Sequence, residues 1–356
     1  MPVKTPLIAV AMSGGVDSSL TAVMMKRQGY NVVGMGVPQL TDSKCCSVEL
    51  IKMAQRVCDE FDIPHHVIDL SDDFKDHVIS NFVSEYRSGR TPNPCVVCNT
   101  KIKWDTLLEK AESMGAEFLA TGHYARLEYN SKYNRQALRM GLDVKRDQSY
   151  FLWGLKQKAL KKTMFPLGQV TKRRTRELAK QYGLKNADAP ESREICFIPD
   201  DDYRRFMVEV SGGSNEPGDF IDDEGNVVGQ HSGITNYTIG QRKKLGIALG
   251  YPAYVKAIDV DKNTVHLARE DGLLTHRFTV DNVNWISIPR PTATIDCEVK
   301  IRSTSRTEVC KLTPGEKDKV HVETHNALKA VTPGQSAVFY GQDYVYCGGV
   351  ISEVET

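Results

Sequence analysis

The chain has 356 residues, 40% apolar and 26% charged, with a net charge of +1 and nine cysteines. These values exclude a disordered chain, a single compact core and any affinity for nucleic acid that rests on overall charge; two or three folded units are expected. No apolar run reaches the roughly 20 residues of a membrane span, and Met1-Pro2-Val3-Lys4-Thr5-Pro6 does not read as a secretory signal. A cytoplasmic, reducing setting is expected, with the cysteines as free thiols or metal ligands.

The first predicted element is an apolar strand from Leu7, which stops abruptly at Ser13-Gly14-Gly15. A helix is predicted to start at about Ser18 and run to Gln28. A glycine turn followed by a helix start directs backbone N–H groups at one point and makes an anion site suited to phosphate. The flanking hydroxyls of Ser13 and Ser18 and the acid Asp17 make an empty turn the weaker reading. The loop is neither Gly-x4-Gly-Lys-Ser/Thr nor Gly-x-Gly-x-x-Gly. It resembles the pyrophosphate loop, Ser-Gly-Gly-x-Asp-Ser, of ATP pyrophosphatases, and that resemblance implies cleavage of ATP to AMP and pyrophosphate.

Strand Asn31–Val37, helix Glu49–Phe61, strand His66–Leu70, helix Asp73–Arg87, helix Asp105–Met114 and strand Glu117–Ala120 follow. Alternating strands and helices predict an α/β fold with a doubly wound parallel sheet, whose ligands bind at the carboxyl ends of the strands. Two segments interrupt the alternation. Gly89-Arg-Thr-Pro-Asn-Pro-Cys-Val-Val-Cys98 carries two prolines and is expected to be an extended, rigid loop. Tyr129–Arg139 reads as a hairpin or loop. Residues 156–185 hold ten lysines and arginines, either a solvated helix face or a surface that tracks phosphates. After about residue 205, glycine-rich turns separate short β-like runs, and from about 272 six short strands suggest a small β-barrel. The expected division is 1–204, 205–271 and 272–356.

Cys95 and Cys98 form a Cys-x-x-Cys. A redox pair is possible, but no thioredoxin-like context surrounds it; a closed zinc site needs four ligands, and there is no second Cys-x-x-Cys. Thiol chemistry with the distant Cys196 is the remaining reading. Cys45 and Cys46 are left unassigned. Cys58, Cys297, Cys310 and Cys347 are expected to be packing residues.

The ordered set Met12-Ser-Gly-Gly-Val-Asp-Ser18, Gly89-Arg-Thr-Pro-Asn-Pro94, Cys98-Asn99, Ala120-Thr-Gly-His-Tyr124, Asp147-Gln-Ser-Tyr-Phe-Leu152, Ile195-Cys-Phe-Ile198, Gly240-Gln-Arg-Lys243 and Val331-Thr-Pro-Gly-Gln-Ser336 resembles the tRNA-specific 2-thiouridylase family almost end to end. The resemblance implies an adenine nucleotide alpha hydrolase-like catalytic domain, a small β-rich central domain and a C-terminal, tRNA-binding β-barrel. It implies a tRNA-uridine 2-sulfurtransferase that uses ATP and Mg2+ to adenylate the C2 oxygen of the wobble uridine and then replaces it with sulfur. Its substrates would be Lys-, Glu- and Gln-type tRNAs. Its sulfur would come from a relay protein, a cysteine desulfurase or free sulfide.

By the same resemblance, Ala11, Met12, Ser13, Gly14, Gly15, Val16, Asp17, Ser18, Met35 and Gly122 would hold ATP. Asn93, Pro94, Cys95, His123, Arg146, Asp147, Gln148, Arg302, Ser303 and Gln335 would contact tRNA. Cys98, Cys196 and Asp17 would be catalytic, with sulfur carried as a persulfide on Cys196 and the loop after Pro190 as a lid. One residue departs from the family pattern: Cys95 stands where aspartate is usual. Three thiolates, Cys95, Cys98 and Cys196, around an open position would suit a 4Fe–4S cluster. That reading stands beside a cluster-free persulfide route. An ATP pyrophosphatase that amidates a small molecule, or an RNA-binding protein with a relic nucleotide site, explains the glycine loop but not the loop cysteines.

Overall fold

The computed structural model describes residues 5–38, 48–190, 195–198, 200–211 and 215–355. Cys45 and Cys46 lie outside these residues. The chain opens with β1 (Leu7–Met12), α1 (Val16–Arg27), β2 (Asn31–Gly36), α2 (Val48–Glu60) and β3 (His65–Val67). A helix over residues 71–87, α3, contains one i→i+5 turn at Lys75–Ile79. A second continuous helix over residues 94–113, α4, is wound i→i+5 from Cys98 to Leu107. Next come β4 (Phe118–Ala120), β5 (Ala125–Asn130), β6 (Arg135–Met140), β7 (Thr163–Met164), α5 (Lys172–Gln181) and α6 (Tyr203–Ser211).

The order β3-β2-β1-β4-β7 makes a parallel sheet with β1 at its centre. Ile8 and Val10 of β1 pack into one core and Ala9 into the other. Successive strand residues point to opposite faces, and both faces are covered, so the strand reads as an unbroken apolar run. The glycine loop leaves from the carboxyl end of this central strand.

The second unit is a four-stranded sheet of β8 (Gly218–Ile221), β9 (Val227–His231), β10 (Tyr254–Asp259) and β11 (Thr264–Ala268), packed on Phe220, Val255, Val265 and Leu267. The third is a barrel of β12 (Leu274–Trp285), β13 (Ile295–Lys300), β14 (Glu308–Pro314), β15 (Val320–Lys329), β16 (Ser336–Gly341) and β17 (Tyr344–Val354), closed by the pairing of β12 with β17. Among the described residues no helix is long and apolar enough to cross a membrane.

Two features join the first unit to the rest of the chain. The boundary at 204 falls inside α6, whose Phe206 and Met207 join the first core. The hairpin β5–β6, from the first unit, extends the barrel sheet by pairing β6 with β17 at Arg139 and Tyr344. Asp343 accepts from Arg126 Nη2 at 2.5 Å and from Arg139 Nη2 at 2.6 Å across this junction. The hairpin ties the catalytic sheet to the barrel through backbone and charge together.

Candidate active site

The glycine loop is held in shape from behind. Gly14 has φ +77°, and a Cβ there would lie 2.2 Å from the carbonyl oxygen of Leu50, so only glycine fits. Ser13 N donates to Ser18 Oγ at 3.2 Å, and Ser18 Oγ donates to the Gly15 carbonyl at 3.1 Å. From the far end of the domain, buried Asn186 donates through Nδ2 to the Gly14 carbonyl at 2.9 Å and to Ser19 Oγ at 3.0 Å. Val16 is buried at the start of α1, which directs the helix N-terminus at the loop.

Asp17 is not an isolated acid. Lys172 Nζ donates to its two carboxylate oxygens at 2.7 and 2.8 Å, and the Tyr124 hydroxyl donates to Oδ1 at 2.8 Å. Tyr124 Oη also lies 2.9 Å from Thr175 Oγ1. Lys172 belongs to the basic run of residues 156–185, but its side chain is 10% exposed, whereas that of its neighbour Arg173 is 89% exposed. The run is therefore not one surface. Its first helical residue turns inward and neutralises an acid that would otherwise repel phosphate at the loop. Arg176, in the same helix, donates to the carbonyls of Ala187 and Ala189.

Beside the loop lies a cavity of about 220 Å³. Ala11, Met12, Ser13, Asp17 and Ser18 form one wall; Ile102, Lys103, Gly122, His123 and Gln148 are on the others. Met35 does not line it: its side chain is fully buried in the core, and only its backbone, in register with Ala11, stands at the strand end. His123 was expected to touch RNA and instead walls this cavity. Its Nδ1 is 2.7 Å from Thr121 Oγ1, and its ring packs 5.5 Å from Trp104 and 6.0 Å from Phe165. Burial, then the charge of Lys103, pushes its pKa well below the usual 6.5, so the imidazole stays neutral at physiological pH.

The thiol side has a different construction. The Cys-x-x-Cys is not on an extended loop. Pro94 takes the first helical position of α4, where its missing N–H costs nothing, and Asn93 caps it by accepting from Val96 N at 3.4 Å. Cys95 is exposed, Cys98 is buried and Cys196 is intermediate. Cys98 belongs to the first core and Cys196 packs against the same core. The Cys196 segment is pinned, because Phe197 packs against Phe74, Phe82 and Phe206 with centroids 5.6, 5.3 and 5.2 Å away. That end of the expected lid is thus an anchor, and residues 191–194 lie outside the described residues. Further along α4, Ile102, Lys103 and Leu107 line the nucleotide cavity, so one helix joins the two sides. Among the described residues no three His, Cys, Asp or Glu side chains stand together to hold a metal ion. The described residues therefore lend no support of their own to the 4Fe–4S cluster expected of Cys95, Cys98 and Cys196.

Several residues expected to contact tRNA are engaged within the protein. Asp147 is half-buried and accepts from Gly141 N, Ser149 N and Ser149 Oγ at 2.9, 3.1 and 2.8 Å; it builds its own turn. Gln148 Oε1 accepts from Tyr124 N at 3.0 Å. Arg302 Nη2 donates to the Ala330 carbonyl at 2.9 Å and to Thr332 Oγ1 at 3.2 Å. Gln335 donates to two carbonyls of the segment leading into α4. Ser303 is exposed and Arg146 is half-buried, as a surface contact requires. Sequence reasoning missed Lys172 and Asn186 as parts of the site. A lysine among ten bases and a lone asparagine carry no local signal, since their roles depend on contacts 155 and 172 residues away.

Three family models cover the chain: "tRNA methyl transferase HUP domain" over residues 7–200, "tRNA methyl transferase PRC-barrel domain" over 206–269 and "Aminomethyltransferase beta-barrel domain" over 275–351. A tRNA-specific 2-thiouridylase MnmA of Halothermothrix orenii is 44% identical over 97% of this chain and 99% of its own length. A second, of Heliobacterium modesticaldum, is 44% identical over 97% of this chain and 92% of its own length. Among solved structures, the U34-tRNA thiolase NcsA from Methanococcus maripaludis with its [4Fe-4S] cluster is 18% identical, with a TM-score of 0.37, over 58% of this chain and 64% of its own, a likeness too distant to bear on chemistry. With the nucleotide loop, the thiol helix and the barrel in that order, and this identity along nearly the whole length, the chain belongs to the tRNA-specific 2-thiouridylase family of sulfurtransferases.

Proposed function

We propose that this protein adenylates the C2 oxygen of the wobble uridine of Lys-, Glu- and Gln-type tRNAs and replaces that oxygen with sulfur by thiol chemistry at Cys98 and Cys196. The observation that carries the reading is α4: the helix that contributes Ile102, Lys103 and Leu107 to the cavity beside the glycine loop also holds Cys98, in a core shared with Cys196. ATP takes the loop and the Ala11–Ser18 wall, with Gly122 on the adenosine side and the backbone of Met35 at the strand end. Magnesium accompanies the nucleotide, held chiefly by phosphate oxygens, with Asp17 the carboxylate on that wall. Arg146 and Ser303 are the tRNA contacts that the surface supports. The thiols suit a reducing cytoplasm.

The chemistry balances without a metal cluster. Uridine O2 attacks the α-phosphorus of ATP and pyrophosphate leaves, which converts a poor leaving group into AMP. The terminal sulfur of a Cys196 persulfide attacks C2 and AMP departs. Cys98 then attacks Cys196 Sγ, releasing 2-thiouridine and leaving a Cys98–Cys196 disulfide for a thiol reductant to reopen. A relay protein or a cysteine desulfurase reloads the reduced Cys196 with persulfide sulfur, whereas free sulfide reloads it by attacking Cys196 Sγ of the disulfide itself, which gives the Cys196 persulfide and releases Cys98 as a thiol. ATP–pyrophosphate exchange that requires unmodified tRNA tests the first step, and thiouridine formation in Cys98→Ser and Cys196→Ser tests the second. Exchange without tRNA sinks the proposal. Stoichiometric iron and acid-labile sulfide in anaerobically purified protein, lost with activity in Cys95→Ala, would put the cluster route in its place.

A further inference from the structure

The barrel does more than offer a surface: its 331–336 loop grips the segment from which the thiol helix starts. Gln335 Nε2 donates to the Thr91 carbonyl at 3.1 Å and to the Pro92 carbonyl at 2.8 Å. Thr91 N donates back to the Pro333 carbonyl at 2.9 Å. Gly334 has φ +90°, and a Cβ there would come within 2.8 Å of the Thr91 carbonyl oxygen, so the two backbones meet where no side chain fits. Next in the loop, Ser336 accepts from the Tyr150 hydroxyl through its carbonyl at 2.9 Å and from Trp153 Nε1 through Oγ at 2.9 Å. The bonds of Gln335 and Pro333 fall on Thr91 and Pro92, immediately before the Asn93 cap and the Cys95-x-x-Cys98 turn, while those of Ser336 tie the same loop to Tyr150 and Trp153. Pro92 and Pro94 have no N–H to donate, so the segment is anchored through Thr91 N and through the Thr91 and Pro92 carbonyls that Gln335 holds.

We infer that Gln335 is a positioning residue, acting through the 91–93 segment to set the start of the Cys98 helix. The barrel and the thiol are then one mechanical unit, and a tRNA seated on the barrel meets Cys98 at a fixed offset. The significance for sulfur transfer rests on the function proposed above; the clamp itself does not.

The test is peptide-resolved alkylation of the folded full-length protein with iodoacetamide, comparing wild type with Gln335→Ala and with Gln335→Met, which keeps the volume and removes the donor. Loss of the two hydrogen bonds predicts roughly thirtyfold faster labelling of buried Cys98 through local opening, the equivalent of about 2 kcal/mol. Cys347, fully buried in the barrel, should label at its wild-type rate, and ATP affinity should stay within about twofold. An unchanged Cys98 rate overturns the inference, as does an equal rise at Cys347 or a loss of tRNA affinity without change at Cys98. If Gln335→Ala does not fold, Gln335→Met decides on the same criteria. Full activity of Cys98→Ser would remove the catalytic reading while leaving the alkylation result intact.

Discussion

The nucleotide side and the thiol side of this site share one helix and are built on opposite plans. On the nucleotide side the polar groups are held before any ligand arrives: Ser13 by Ser18, the Gly14 carbonyl by Asn186, and Asp17 by Lys172 and Tyr124. On the thiol side three cysteines sit in three environments, exposed, buried and intermediate, and are held by what flanks them: the Asn93 cap, Gln335 on the preceding segment, and Phe197 in its aromatic cluster. The difference follows from the chemistry. A phosphate cradle works by fixed electrostatics and gains from rigidity. A sulfur carrier must be loaded, attacked and reduced, so its thiols need access and a change of partner.

That contrast breaks most sharply at Cys196. Cys196→Ser should lower thiouridine formation by roughly 10³-fold or more while tRNA-dependent ATP–pyrophosphate exchange continues, because a lost nucleophile is not replaced by neighbouring binding groups. Loss of both activities together would mean that the two sides are not separable. On the nucleotide side the largest effect should come from Lys172→Met. Unpairing Asp17 places a bare carboxylate beside the phosphates and should weaken ATP binding about tenfold, after allowance for solvent around a partly exposed acid. Lys172→Arg should recover part of the loss, and the alkylation rate of Cys98 should not move. An ATP affinity unchanged in a folded Lys172→Met protein would show that the ion pair has no bearing on the anion site.

The nucleotide wall should also carry a pH signature that the thiol side lacks. The folded-state pKa of His123 is depressed below the usual 6.5. The neutral form is therefore favoured by folding, and stability is fully present above 6.5 and falls as the pH drops below it, because the unfolded chain then binds a proton that the native state refuses. Thermal unfolding followed from pH 8 to pH 5 should show this decline, and His123→Asn should flatten it. An equal slope in the variant would assign the decline to another group. The smallest effect is expected in the barrel. Cys297 and Cys310 face each other across β13 and β14 with sulfurs 3.6 Å apart, and burial together with the neighbouring thiol pushes the Cys297 pKa up. Cys310→Ser should cost about 1–2 kcal/mol of stability in urea unfolding and leave thiolation at its wild-type rate, since a hydroxyl replaces a thiol in an apolar core. A loss of activity there would extend the thiol side into the barrel.

Some of this organisation is local and some is not. An apolar run that stops at Gly14 determines a buried parallel strand and an anion loop, because the period of the strand and the steric freedom of glycine are properties of neighbouring residues. The alternation of strands and helices up to residue 120, and the short strands after 272, follow in the same way. Pro92 and Pro94 suggested an extended loop, yet Pro94 starts a helix: proline is barred from helix interiors, not from their first turn, and the Asn93 cap settles which applies. A basic run reads as surface until a distant carboxylate is known to draw Lys172 inside. Asp147, Arg302 and Gln335 lie in motifs that resemble RNA contacts, and each also bonds to groups of the protein itself. Sequence alone determined most of the elements and the glycine loop at the end of the first strand. Only the tertiary structure decided which charges pair, which thiols are covered and which barrel residue holds the thiol helix, because each depends on atoms brought together from up to 244 residues apart.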